Sequence, residues 1–116
     1  MAITEISGTE AVGATEHSLA TDTSYDTADA QTTDGVLQVW LDLSDMVATD
    51  VLQIRVYEKV RSGDTQRICY ECILRDVQAE AIWVSPALTV MHGWDVTCDA
   101  ITGTVTVNWS LRLIPA

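Results

Sequence analysis

The sequence has no phenylalanine, only two prolines, and not one lysine or arginine in its first 54 residues. Each shortage excludes something. Scarce proline leaves long stretches free to pair as interior strands. Ten acidic residues stand unopposed before Arg55, while the rest of the chain carries seven acids against six bases. A net charge of −11 repels a phosphate backbone, so nucleic acid is not an expected partner. Anionic membrane surfaces are disfavoured for the same reason. No apolar run approaches the length of a membrane span. The opening Met1-Ala2-Ile3-Thr4-Glu5 lacks the basic start and apolar run of a secretory peptide. Three cysteines, an odd number, do not make a disulfide framework. The chain is therefore expected to fold in a reducing cytoplasm, with Cys69, Cys72 and Cys98 as thiols.

Helical periodicity and internal repeats are missing too, which removes bundles, propellers and solenoids. What is present is strand chemistry. Of the residues, 47% are hydrophobic, a set rich in Val, Leu, Ile and Trp, and threonine is frequent. The length suits one domain with a real core.

The chain divides near residue 35. Residues 1–34 are acidic and polar, with short β-like pieces at 2–6 and 16–20, and read as an N-terminal arm or a set of edge strands. Residues 35–116 alternate strongly. Leu37, Val39, Leu41 and Leu43 form one face of a strand whose other face holds Gln38, Trp40 and Asp42. Leu52, Ile54 and Val56 face one way, Gln53, Arg55 and Tyr57 the other. The turn residues 61–64 then close a hairpin onto Ile68, Tyr70, Cys72 and Leu74. Two short strands flank Pro86, and a second hairpin turns at Thr102-Gly103 into Val105, Val107, Trp109, Leu111 and Leu113. Alternation with polar outer faces indicates antiparallel sheets. The expected fold is an all-β, antiparallel β-sandwich or jelly roll with an extended N-terminal arm.

No constellation points to catalysis, a metal or a cofactor. Cys69-Tyr70-Glu71-Cys72 has C-x-x-C spacing, yet inside a strand two residues three apart face opposite sides. Cys98 is the only other thiol, so a zinc knuckle lacks its second pair. His92-Gly93-Trp94-Asp95 brings an imidazole near a carboxylate at a turn with no further ligand beside it. No G-x-S-x-G elbow or phosphate-cradling glycine loop occurs. The candidate interaction residues are Trp40, on the polar side of its strand, and Arg55, Tyr57, Lys59, Arg67 and Arg75 on the outer face of the first hairpin. That basic and apolar face is suited to an acidic arm, from a neighbour or from the same chain.

Three stretches, TTDGVLQVWLDL (residues 32–43), YEKVRSGDTQ (57–66) and WVSPALTVMHGWDVT (83–97), resemble small proteins encoded among the virion genes of tailed bacteriophages. The likeness spans roughly residues 30–113. It implies a β-rich, non-enzymatic virion component, assembled in the host cytoplasm, that decorates or cements the head shell. Its implied partners are the major capsid protein or another virion protein, and further copies of itself, with a trimer as the expected state. A tail- or fibre-associated protein and a carbohydrate-binding module are the alternatives.

Overall fold

The computed structural model describes residues 2–115. Ten strands are seen among them: β1 (Thr4–Val12), β2 (His17–Ser18), β3 (Thr23–Ser24), β4 (Gly35–Asp42), β5 (Val51–Glu58), β6 (Arg67–Arg75), β7 (Ile82–Val84), β8 (Leu88–Val90), β9 (Asp95–Thr102) and β10 (Val105–Pro115). They form two antiparallel sheets, packed as a sandwich. Sheet A runs β1-β10-β4-β7, with β8 also paired to β4; sheet B runs β3-β2-β9-β5-β6. The all-β sandwich expected from the alternation is the fold of the chain.

The core holds most of the inward positions named by the period-two pattern, but Ile68, expected on one face with Tyr70, Cys72 and Leu74, is 46% exposed because the β5–β6 ladder slips between Val56 and Tyr57. Leu37, Val39 and Leu41 of β4 and Val105, Val107, Trp109, Leu111 and Leu113 of β10 meet Leu52, Ile54 and Val56 of β5 and Val96, Cys98 and Ala100 of β9. Each fully buried Leu, Ile or Val side chain stabilises the fold by about 1.5–3 kcal/mol. Two glycines are required by this packing. Gly8 lies opposite Trp109 in the β1–β10 ladder. A Cβ at residue 8 would fall 2.5 Å from an indole carbon, so only glycine lets the ring cross β1. Gly103 turns β9 into β10 with φ of +88°, and a Cβ there would strike the Asp50 carboxylate.

Residues 1–34, the segment expected as an arm or edge strands, are divided between the sheets. β1 pairs along its whole length with β10 as the edge of sheet A. β2 and β3 extend sheet B beyond β9. A 3₁₀ turn, Thr27–Asp29, follows, with the Asp26 side chain accepting from the Ala28 N–H. Gln31 then exchanges two backbone hydrogen bonds with Trp94, and the Trp94 indole N–H donates to the Thr33 carbonyl.

Candidate functional site

The outer face of sheet B is covered by its own chain over Tyr57 and Thr97, while Ile68 and Ile73 of β6 and Ile101 of β9 stay exposed. Beside β2, the Glu16 carboxylate reaches over β9 and β5. It accepts hydrogen bonds from Thr97 Oγ1 and Tyr57 Oη, each at 2.5 Å, and stands 3.7 Å from Arg55 Nη1. Arg55 Nε also donates to Glu71 at 2.8 Å. Between two carboxylates, chiefly through the Glu71 bond, the guanidinium is held firmly protonated. Tyr25 stacks on Tyr57 with ring centroids 4.6 Å apart, and its hydroxyl donates to Gln66. Burial, then the Glu16 bond, pushes the Tyr57 phenol up, so it serves as a proton donor. The basic and apolar face thus receives an acidic segment, and the segment is intramolecular.

Beneath this cover lie one buried carboxylate, Asp95, and one half-buried, Asp99. Asp95 is fully buried; its Oδ1 accepts from Ser18 Oγ and the Val96 N–H, both at 2.7 Å, while Oδ2 has no partner. Desolvation raises its pKa to about 6 against those two bonds, and Glu16 and Asp29 add to the rise. Asp99 Oδ1 is likewise buried without a partner, and burial shifts that carboxyl upward. Among the described residues His92 shares no hydrogen bond or ion pair with either group; the Asp95 carboxylate turns to Ser18 and Val96.

The six candidate residues do not form one surface. Arg55 and Tyr57 sit together under the N-terminal segment. Arg67 leaves their face because the β5–β6 ladder slips between Val56 and Tyr57, which places Arg67 opposite Glu58. Lys59 lays its aliphatic stem over Gly93. Arg75 is exposed at the end of β6, opposite Val51. Trp40 belongs to the other sheet altogether.

The outer face of sheet A is uncovered. Trp40 is half-buried at its centre, with the Arg112 guanidinium 4.1 Å from the ring centroid. Trp40 Nε1 donates to Gln38 Oε1, and Arg112 Nε donates to Ser110 Oγ, which in turn donates to Glu5. A hollow of about 210 Å³ lies on one side of this pair, lined by Asp42, Ile82, Asn108 and Ser110. A second, of about 260 Å³ and almost wholly apolar, lies on the other, lined by Ile3, Val36, Ala87 and Ile114. Ile3, Ile82 and Val84 are 61%, 53% and 37% exposed, which makes this a patch rather than scattered apolar residues. Arg112 was not singled out from the sequence. The parity of β10, which sets Asn108, Ser110 and Arg112 outward, carried the signal; the register Trp40 opposite Ser110 completes it.

No family model, no curated protein and no solved structure matches this chain.

Proposed function

We propose that the chain is a non-enzymatic structural protein of a tailed-phage virion, a head decoration or cement protein that binds a shell protein through the outer face of sheet A. The observation that carries this reading is the asymmetry of the sandwich. Sheet B hides the centre of its outer face, Tyr57 and Thr97, under its own chain and leaves Ile68, Ile73 and Ile101 beyond that cover, whereas sheet A gathers Trp40, Ile82, Val84 and Ile3 around a single arginine. An aromatic and an arginine at the centre of an apolar patch are the side chains that dominate protein–protein binding energy. The resemblance of residues 30–113 to phage virion proteins supplies the setting, with self-association, as a trimer, part of the same reading.

Immunogold labelling of gradient-purified particles of the encoding phage tests it. Label on heads, lost with Trp40→Ala, is the expected result. Label confined to tails replaces the head assignment with the tail or fibre one, and unlabelled particles overturn the proposal. The hollow beside Trp40, with Asp42, Asn108, Ser110 and Arg112 as polar partners, favours a second reading, a carbohydrate-binding module. Glycan-array binding by the wild type and not by Trp40→Ala would establish that one.

A further inference from the structure

A polar site lies where the two sheets part at the N-terminal corner. β1 belongs to sheet A and β2 to sheet B, and between them Glu10, His17 and Asp22 converge. His17 is 9% exposed, its ring set edge-on against Trp109 with centroids 5.8 Å apart. The imidazole is therefore fixed by core packing. Its Nε2 stands 2.9 Å from Asp22 Oδ1 and 3.6 Å from Glu10 Oε2. All three ligand atoms lie within 4.8 Å of one another.

Those separations bear on what the cluster can hold. Ligand atoms about 2.0–2.2 Å from a tetrahedral zinc ion stand about 3.3–3.6 Å apart; the Glu10 distance at Nε2 matches, and Asp22, at hydrogen-bond length, would draw back by about half an ångström to admit the ion. A single imidazole N–H serves one carboxylate only; the second brings like charge to the first unless a cation sits among them. Room for the rest of a coordination shell is at hand. A cavity of about 340 Å³ adjoins the cluster, lined by Glu10, Thr15, His17 and Ser24 with the backbone of residues 11–14, and it is predominantly polar.

We propose that Glu10, His17 and Asp22 form a binding site for a divalent transition-metal ion of the zinc type, which staples β1 of sheet A to the β2–β3 corner of sheet B. One imidazole nitrogen with two carboxylate oxygens is a donor set for zinc or its first-row neighbours, whereas calcium and magnesium take oxygen alone. The fourth position faces the cavity and is filled by water. The role is structural: β2 and β3 are two residues each, and a cross-sheet ligand set ties down the shortest strands of sheet B.

The test uses the full chain, stripped with a chelator and titrated with zinc chloride, calcium chloride serving as control. The readouts are calorimetric affinity, melting temperature and the imidazole nitrogen resonances, with His92, the only other histidine, as internal reference. Zinc is expected to move the His17 Nε2 resonance and not that of His92, and to raise the melting temperature by several degrees. Glu10→Gln and Asp22→Asn are each expected to weaken zinc binding at least tenfold. Glu10 is half-exposed and Asp22 exposed, and Asn tolerates the left-handed φ of 55° at residue 22, so both variants are expected to fold. A silent His17, zinc affinity unchanged in both variants, or calcium bound as tightly as zinc would overturn the proposal and leave the cluster an ion pair only.

Discussion

Asp95→Asn isolates the energetic weight of a carboxylate sealed under the N-terminal segment. In the folded chain its pKa is about 6, against an ordinary 3.8, a difference of about two pH units, or roughly 3 kcal/mol. The sign follows from which state holds the proton more tightly. Between pH 3.8 and 6 the folded state binds more protons than the unfolded one, so this group adds stability as pH falls. Above pH 6 it is charged in both states, and the penalty of burying the charge is present in full. Asparagine keeps the acceptor oxygen used by Ser18 Oγ and the Val96 N–H. Its NH₂ meets no acceptor where Oδ2 lies, but neither does the hydroxyl of the protonated acid, so that offset cancels when two pH values are compared. Urea denaturation at pH 8 and at pH 3.5 is the assay. The stability of Asp95→Asn relative to wild type should be about 3 kcal/mol more favourable at pH 8 than at pH 3.5. A difference of the same size at both pH values would refute the reasoning, because it would mean that burial does not raise the Asp95 pKa.

Three further outcomes are expected. Gly8→Ala drives a methyl group into the Trp109 indole and should destabilise the fold by about 1–3 kcal/mol, measured by denaturant titration, with greater amide exchange along β1. Tyr57→Phe removes one donor from the half-buried Glu16 carboxylate and leaves the stack on Tyr25; a loss of about 1–3 kcal/mol is expected, together with faster proteolytic cutting within residues 14–34. In a thiol titration with a disulfide reagent, exposed Cys69 should react first, and Cys98, buried and with its thiol pushed well up by desolvation, only on unfolding.

The strands were legible from their alternation of apolar and polar residues. In β4 and β10 that alternation matches one buried and one open face, in β5 and β9 it persists although both faces are largely covered, and the turns at residues 61–64 and at Gly103 follow from their own residues. Three features were not, each because it depends on distant partners. The slip between Val56 and Tyr57 moves Arg67 off the face shared by Arg55 and Tyr57, and nothing in the composition of β6 announces it. The cover over β5 requires Glu16 and Tyr25 to meet Tyr57 across some thirty to forty residues, and a sequence of polar residues with little to bury gives no hint of that docking. Glu10, His17 and Asp22 lie within thirteen residues of one another, yet their convergence needs β1 and β2 to enter different sheets. Trp40 was legible as outward-facing; its arginine partner, on β10, emerged only from register.

The pairing of β1 with β10 fixes a schedule. β1 has for its neighbour a strand made more than a hundred residues later: Thr4 lies opposite Leu113. At about 5–20 residues per second, translating the intervening hundred-odd residues takes roughly 5–20 s. Throughout that interval β1 is a nine-residue strand with no partner, able to recruit other unfinished chains by its free backbone groups. Its sequence, TEISGTEAV, carries two glutamates, and the whole first half of the chain repels copies of itself through acids that no base offsets. The lopsided charge thus sets like charge against like between unfinished copies, before there is any folded surface for it to serve.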